Sequence, residues 1–402
     1  MTVAADLARA RAMLAAMPLI DGHNDLPWAL REAGRADFRG ADLAGPVAFS
    51  HTDLPRMAAG GLSGQFWSVY VPAGLQGQAA VATTLEQIDL VHRMIQRYPD
   101  RLELALDSGD VERAMAAGRV ASLLGAEGGH SIDCSMGVLR MLYALGVRYL
   151  TLTHNASLPW ADAATGRPVA GGLTAFGREV VREMQRIGML VDLSHVSPDT
   201  MRGALAAAEA PVIFSHSSAR ALCDHPRNVP DDVLAALAAQ GGVCMVTFVP
   251  AFVSPAVREW DRGLTADMER RGLDPWDLSL REAAGRERAA ADPPPRATVA
   301  DVAAHVEHVR EVAGIEHVGL GGDFDGGVDM PDGLADVSCY PALFAELLAR
   351  GWPEEDCAKL AGGNILRVLR EAEAAARELS GRRPPSTARI EDLDGPGLDG
   401  PA

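Results

Sequence analysis

The stretch MPLIDGHNDLPWALR, residues 17–31, joins a short apolar run to two aspartates and a histidine. Its first four residues are apolar, which is typical of a buried strand. Period-two alternation along an extended chain puts His23 and Asp25 on the same side of that strand. A histidine and an aspartate on one face are a reasonable pair of metal ligands. A turn cap or a surface pair is the simpler explanation of one such motif, so the rest of the chain has to decide.

The same pattern, an apolar run that ends in polar or glycine-rich residues, recurs along the sequence. The runs are PLIDGHND, GQFWSVYVP, ASLLGAEGG, VRYLTLTHN, MLVDLSHVS, PVIFSHSS, GVCMVTFVP and HVGLGGDFDGG. Helix-like segments separate them, most clearly at residues 174–188, with Thr174 as N-cap and Gly188 as stop, and at 197–210. Strands that alternate with helices predict parallel pairing through right-handed crossovers. Eight such units favour an α/β fold, a (β/α)8 TIM-type barrel, over an open doubly wound sheet.

The chain is longer than a minimal barrel requires, and the additional residues can be assigned to inserts and a C-terminal tail. Residues 1–380 are predicted to form a single barrel domain, with irregular, charged and proline-containing inserts at 27–60 and 251–300. Residues 381–402 are rich in proline and glycine. We expect them to form a flexible tail or an arm that packs on a partner.

Composition excludes several classes of partner. The chain has 402 residues, 48% of them apolar, and a formal net charge of −17, which argues against nucleic acid or an anionic membrane as partner. Its five cysteines form no CxxC motif and are odd in number, which predicts free thiols in a reducing compartment. Neither a signal peptide nor a membrane anchor is recognisable. The predicted location is the cytoplasm.

Acidic and histidine side chains concentrate at the predicted strand ends, where a barrel places its functional groups. Buried charges are costly unless they are paired or bound to metal, and imidazole and carboxylate ligands without thiolates suit zinc. The ligand candidates are His23, Asp25, Glu127, His195 and His216. These five exceed the needs of one tetrahedral zinc and fit two metals bridged by a carboxylate. Some two-metal barrels bridge their metals with a carboxylated lysine. The only lysine here, Lys359, lies far from every strand end in sequence, so Glu127 is the expected bridge.

Several of these segments together resemble the membrane (renal) dipeptidase family of zinc peptidases, within the amidohydrolase-like barrels. The motifs that carry the resemblance are IDGHNDLPW, EGGHSID, LTHNASLPWAD, VDLSHVS, PVIFSHSSARAL, RNVPDDVL and GLGGDFDG, in order from about residue 19 to residue 370. The resemblance implies a homodimeric barrel with two Zn²⁺ per subunit that hydrolyses dipeptides, with a D residue at the C-terminal position among the expected substrates.

The resemblance also implies a role for each candidate residue. His23 and Asp25 would bind one zinc and His195 and His216 the other, with Glu127 shared. The family's substrate-binding histidine and arginine fall on His154 and Arg227, and its catalytic acidic residue falls on Asp323, which we prefer to Asp325. Two departures stand out. The signal peptide, disulfides and lipid anchor of the mammalian members are not visible, and Phe252 stands where the family often has a tyrosine.

The expected mechanism uses a metal-bridging hydroxide as nucleophile. His154 would donate a hydrogen bond to the developing oxyanion, and Asp323 would move the proton from the water to the leaving amine. Arg227 would hold the terminal carboxylate of the substrate, unless it is a surface residue paired with Asp231 or Asp232. The alternatives are another binuclear amidohydrolase (an amidase, lactonase or deaminase) and a non-catalytic binding protein stabilised by metal.

Overall fold

Parallel strands form the centre of the computed structural model, which describes residues 3–275, 278–327 and 329–395. The described strands are β1 (Ile20–Asn24), β2 (Gly64–Ser68), β3 (Leu102–Leu104), β4 (Val120–Glu127), β5 (Val147–Thr151), β6 (Leu190–Asp192), β7 (Ile213–Phe214), β8 (Val243–Val246) and β9 (Val318–Leu320). Eight of them close into a barrel in the order β1-β2-β4-β5-β6-β7-β8-β9, because β2 pairs with β4 and β9 pairs with β1. The predicted (β/α)8 barrel is confirmed.

Helices surround the barrel and fill its connections. They are α1 (Val3–Leu14), α2 (Leu26–Glu32), α3 (Leu54–Gly60), α4 (Gly77–Arg97), α5 (Ser108–Ala116), α6 (Met136–Ala144), α7 (Ala175–Ile187), α8 (Pro198–Ala207), α9 (Asp231–Ala239), α10 (Pro250–Val253), α11 (Pro255–Arg270), α12 (Leu278–Ala291), α13 (Val299–Ala313), α14 (Tyr340–Ala349), α15 (Glu354–Ala358), α16 (Asn364–Arg382) and α17 (Ile390–Asp394). Short 3₁₀ turns lie at Gly129–Ile132, Ile315–His317 and Val337–Cys339, and a π turn lies at Lys359–Gly363. Within the described part of the chain, no helix combines the length and apolar character needed to cross a bilayer.

The best-defined predicted helix has the predicted ends. The side chain of Thr174 accepts a hydrogen bond from the backbone N–H of Gly177, so it caps α7. Gly188 follows the helix in the left-handed region, with φ of +87°, and ends it. The prediction for residues 197–210 is confirmed in the same way, since Ser197 caps α8 through the N–H of Thr200.

Strand β3 is the one strand that the sequence did not predict. It has three residues, and it pairs with the first three residues of β4 outside the closed barrel. Its middle residue, Glu103, is half-buried and lies 3.1 Å from the guanidinium of Arg113. A strand this short, with a charged residue at its centre, lacks the apolar run by which the other strands are recognised.

The insert at 251–300 differs from the irregular segment that was expected, because α10, α11 and α12 occupy much of it. Charged residues one helical turn apart pair along α11, as in Arg258–Asp261 at 3.1 Å and Arg270–Asp267 at 2.7 Å. A small apolar cluster of its own, centred on Met268, joins α11 to α12. Local pairing and a small separate core explain why a charged sequence forms helices here.

The predicted tail follows α16, and its described part lies against the barrel. The N–H of Ser386 donates to the buried carboxylate of Glu183 at 3.2 Å. The carboxylate of Asp394 accepts hydrogen bonds from the hydroxyl of Thr174 at 2.6 Å and from the N–H of Phe176 at 3.1 Å, at the start of α7. Residues 396–402, which the tail prediction also covers, lie outside the described residues.

A tight contact inside the barrel sets the position of Tyr149. Gly125 in β4 lies against the ring of Tyr149 in β5, and a Cβ atom at Gly125 would lie 2.0 Å from the ring atom Cζ. Both residues are fully buried, so neither can move toward solvent. The absence of a side chain at residue 125 is therefore what allows the tyrosine to lie across the barrel interior.

We expect Gly125→Ala to lower the free energy of unfolding by about 1–3 kcal/mol, because the added methyl group overpacks the barrel. Chemical denaturation of the metal-free protein measures the change. Gly137→Ala is the matched control, since a Cβ there meets its nearest neighbour, Ser135 Oγ, at an ordinary 3.5 Å. Equal stability of the Gly125→Ala variant and the unmodified protein would contradict this view of the packing.

Candidate metal centre

The predicted metal ligands meet at the carboxyl ends of the barrel strands, around the carboxylate of Glu127. One of its oxygens, Oε1, lies 3.0 Å from Nε2 of His195 and 3.4 Å from Nε2 of His216. The other, Oε2, lies 3.5 Å from Nε2 of His23. All four side chains are buried. Glu127 therefore lies between imidazoles that come from opposite sides of the barrel.

Two aspartates extend this group on the side of His23. Nε2 of His23 lies 3.2 Å from Oδ2 of Asp25 and 3.9 Å from Oδ1 of Asp323. The ligand atoms form three overlapping sets within 4.8 Å: His23, Glu127 and His216; Glu127, His154 and His195; and His23, Asp25 and Asp323. Glu127 and His23 each belong to two of the sets. The three sets together contain more ligand atoms than a single four-coordinate ion requires.

A hydrogen-bonded chain fixes the orientation of His216. Its Nδ1 lies 2.8 Å from the hydroxyl oxygen of Ser215, and that hydroxyl donates to Oδ2 of Asp192 at 2.7 Å. Because the hydroxyl proton goes to Asp192, the serine oxygen accepts from Nδ1–H of His216. The lone pair of His216 is then on Nε2, which faces Glu127. The sequence did not predict this role of Ser215, although Ser215 directly precedes a predicted ligand.

The other two imidazoles are held in the same tautomer. Nδ1 of His195 lies 3.2 Å from the amide oxygen of Asn155, which can only accept a hydrogen bond, so Nδ1 carries the proton. Nδ1 of His23 lies 2.8 Å from the hydroxyl of Tyr149, which donates to the carbonyl of Gly22 at 3.3 Å. Outer partners that direct the Nε2 lone pair inward are typical of metal-binding histidines. Asn155 and Tyr149 were also missed, because neither motif nor spacing distinguishes them.

The donor set fits a cation. Nε2 of His195 and Nε2 of His216 lie 3.0 Å apart, and with both protons on Nδ1 two lone pairs face each other. The buried Oδ1 of Asp25 has no hydrogen-bond partner among the described residues. Facing lone pairs and an unpaired buried carboxylate oxygen are unfavourable unless positive charge lies between them. Nitrogen and oxygen ligands without sulfur suit zinc or a related divalent ion.

The protein charges of the site already favour an ionised Glu127. Burial acts to raise its pKa, but the charge of the facing His23, followed by that of His154, outweighs burial and holds the pKa well below its usual range. Burial lowers the pKa of His195, and that of His216, well below the ordinary value. Glu127, His195 and His216 thus have the protonation states that metal ligands need. The pKa of His23 is raised well above its ordinary value, because Tyr149, Glu127 and Asp25 outweigh burial, so His23 would release a proton when an ion binds.

Two site residues have a backbone conformation that side chains seldom adopt. His195 has φ of +67° and Asp323 has φ of +60°, both in the left-handed region. For residues other than glycine this conformation costs on the order of 1 kcal/mol or more and persists where the surroundings impose it. In both cases it follows the end of a strand and turns the side chain toward the centre of the site.

His154 lies beside the ligand group, with Nε2 3.8 Å from Oε1 of Glu127. Its ring packs on that of His195 at a centroid distance of 4.4 Å and on that of Tyr70 at 4.9 Å. Tyr70 in turn contacts the edge of Trp28 at 5.1 Å, so aromatic rings line this side. Burial lowers the pKa of His154 to about 4. The sequence did not predict these aromatic contacts, although the run QFWSVY contains Tyr70, the central ring.

Arg227 is buried, with 2% of its surface exposed, which overturns the interpretation that it is a surface residue paired with Asp231 or Asp232. Its guanidinium donates to the hydroxyl of Ser217 at 3.4 Å and to the carbonyl of His216 at 3.3 Å. Among the residues that the structure describes, no carboxylate forms an ion pair with it. Burial lowers its pKa to about 10, which leaves it charged at neutral pH.

Asp323 and Asp325, between which the sequence could not decide, have different surroundings. Oδ1 of Asp325 accepts a hydrogen bond from the N–H of His51 at 2.5 Å, and its own N–H donates to Nδ1 of His51 at 3.1 Å. Asp325 thereby fastens the loop of His51 to the end of β9. Asp323 faces His23, and burial, together with the charges of Asp25 and Glu127, raises its pKa to about 7.

A barrel with imidazoles and carboxylates at the carboxyl ends of its strands has the architecture of a metal-dependent hydrolase. The sequence profile of the membrane dipeptidase family, peptidase family M19, matches residues 7–383. The chain belongs to this family and is a metallopeptidase that hydrolyses dipeptides. The resemblance found in the sequence is confirmed.

Solved structures share the fold over nearly their whole length. The probable dipeptidase PvdM from Pseudomonas aeruginosa is 23% identical, with a TM-score of 0.79 over 92% of this chain and 99% of that one. Dipeptidase AC, a metallopeptidase of family M19, is 25% identical, with a TM-score of 0.73 over 89% and 98%. A metallopeptidase from Rhodobacter sphaeroides, liganded with a phosphinate mimic of L-Ala-D-Ala, is 24% identical, with a TM-score of 0.72 over 89% and 99%.

We expect Ser215→Ala to weaken binding of divalent metal by about 10–100-fold, because His216 loses the acceptor that fixes its tautomer. Titration of the metal-free protein with zinc against a chromophoric chelator measures the affinity. Ser218→Ala is the matched control, since the Ser218 hydroxyl is equally buried but donates to the carbonyl of Thr247 at 3.2 Å. An unchanged affinity of Ser215→Ala would show that the chain through Asp192 does not support the site.

Proposed function

We propose that this protein is a binuclear zinc dipeptidase in which Glu127 bridges the two ions. The observation that carries the proposal is the position of that carboxylate, with one oxygen toward His195 and His216 and the other toward His23. His23 and Asp25 would hold one ion, and His195 and His216 the other. When bound, a zinc pair supplies a hydroxide nucleophile at neutral pH and a Lewis acid for the scissile carbonyl.

The residues around the centre suit the two charged ends of a dipeptide. Arg227 offers a buried guanidinium without an ionic partner among the described residues, and so it can bind the terminal carboxylate. Asp25 and Asp323, near His23, can accept the terminal ammonium. One further residue would add about 3.3–3.6 Å between the charged ends. A tripeptide could therefore not bind both anchors at once while its scissile bond stays at the metal centre.

Proton transfer and charge stabilisation are assigned to two further side chains. His154 is placed to donate a hydrogen bond to the developing oxyanion, since its Nε2 points toward the ligand group. Asp323 would take the proton of the attacking water and return it to the leaving amine, because it faces the same centre and is not one of the five proposed ligands.

The proposal includes the cytoplasm as location and a homodimer as the assembly. All five cysteines are free, as in a reducing compartment. A dipeptide with a D residue at its C-terminal position is among the proposed substrates, because a metallopeptidase of the same fold is liganded with a mimic of L-Ala-D-Ala.

We expect purified protein reconstituted with zinc to hold two ions per chain, measured by elemental analysis. Glu127→Gln should lower the content of both sites, because the variant loses the bridging charge. Glu371→Gln, an exposed glutamate on α16, is the control and should retain both ions. One ion or fewer in the reconstituted protein would refute the binuclear proposal.

We expect Asp323→Asn to lower kcat for a dipeptide by about 10²–10⁴-fold while the metal content stays unchanged, because the variant loses a proton carrier and no ligand. Steady-state kinetics together with elemental analysis test this. Asp325→Asn is the matched variant and should keep most of its turnover. If instead Asp325→Asn loses turnover and Asp323→Asn keeps it, the role of proton carrier belongs to Asp325.

A further inference from the structure

The guanidinium of Arg227 is buried but weakly held by hydrogen bonds. Its two hydrogen bonds, to the carbonyl of His216 and the hydroxyl of Ser217, measure 3.3 and 3.4 Å, at the long end of the range for N–H donors. It has no carboxylate to fix its direction within the described part of the chain. An arginine that must present a flat pair of donors to a substrate carboxylate needs another support.

The ring of Phe252 provides that support. The Cζ atom of Arg227 lies 5.4 Å from the centroid of the Phe252 ring, within the distance of a cation–π interaction. The same ring packs on the imidazole of His225 at a centroid distance of 4.2 Å and an interplanar angle of 30°. Nδ1 of His225 accepts a hydrogen bond from the backbone N–H of Arg227 at 3.1 Å. The three side chains therefore form one unit.

The loops that carry this unit are fastened to each other through their backbones. The side-chain amide of Asn228 donates to the carbonyl of Phe252 at 2.7 Å. The buried ring of His305, on α13, donates from Nε2 to the carbonyl of Val253 at 3.1 Å and accepts at Nδ1 from the N–H of Ala219 at 3.0 Å. Neither the Phe252 loop nor the Arg227 loop can shift without breaking these bonds.

The charge state of His225 agrees with this arrangement. Burial and the positive charge of Arg258 lower its pKa to about 2, so the ring is neutral at physiological pH. A neutral imidazole keeps the Nδ1 lone pair that accepts from Arg227 and adds no repulsion to the guanidinium. Phe252, which has no hydroxyl, contributes its ring face and its contact area alone.

We propose that Phe252 is a positioning residue that, with its ring seated on His225, holds the Arg227 guanidinium toward the substrate carboxylate. The inference rests on the proposed function of Arg227 as the carboxylate anchor. Phe252 touches no reacting atom and acts through the arginine. It therefore affects the binding of free-acid dipeptides, and the metal centre does not depend on it.

A double-mutant cycle tests the proposal, with L-Ala-L-Ala and its C-terminal amide as substrates. Phe252→Leu should lower kcat/KM for the free acid by about 3- to 30-fold, mainly through KM, as expected for loss of a cation–π contact between a buried guanidinium and a partly buried ring. Phe252→Tyr keeps the ring and should stay within about twofold of the unmodified protein. In the Arg227→Met background, Phe252→Leu should have no further effect. Metal content should be unchanged throughout.

Trp260→Leu is the control, because Trp260 forms a cation–π pair with Arg288 at 5.1 Å in the α11–α12 hairpin, and its KM should not change. If Phe252→Leu does not fold, Phe252→Met takes its place. An equal loss in both backgrounds, or no loss in either, overturns the positioning role. If Arg227→Met leaves KM and the preference for the free acid unchanged, the anchor role itself fails, which is a separate result.

Discussion

The Glu127 carboxylate, buried at the end of β4 among the imidazoles of three other strands, is the constraint on which the site depends. An ionised group in this position is costly without positive charge nearby, and its two oxygens face Nε2 of His23, His195 and His216. His195 and His216 direct lone pairs toward the same point, so on the Oε1 side the protein groups alone leave electron density without positive charge. A cation between these groups would complete the arrangement.

This convergence is maintained by a second layer of polar groups inside the barrel. The carboxylate of Asp192 accepts three hydrogen bonds, from the hydroxyl and the backbone N–H of Ser215 and from the backbone N–H of Ser194. One carboxylate therefore fixes the strand ends that carry His216 and His195. Tyr149 can reach His23 only because Gly125 leaves room for its ring. The packing of the barrel interior therefore determines the orientation of the ligand histidines through a small number of hydrogen bonds.

The sequence predicted which side chains converge at the proposed metal centre, because the barrel imposes one rule on every strand: its carboxyl end faces the site. That rule located Glu127 and His216 without knowledge of distances. It could not locate Tyr149, whose role depends on a contact across strands, nor the burial of Arg227, which depends on how a long loop folds back. The helices of the insert at 251–300 escaped notice for a related reason, since they are stabilised by pairs such as Arg270–Asp267 rather than by an apolar stripe.

The α11–α12 hairpin follows β8 and begins directly after the α10 turn that carries Phe252. Its apolar cluster is its own, its charges pair locally, and prolines flank it at residue 255 and at 293–295. Substitutions in its outer part, away from Val257 in the main core and Arg258 near His225, would therefore cost the barrel little stability, while its base adjoins Arg227, the proposed carboxylate anchor. In evolutionary terms the hairpin is a module on which selection can act almost separately from the catalytic framework.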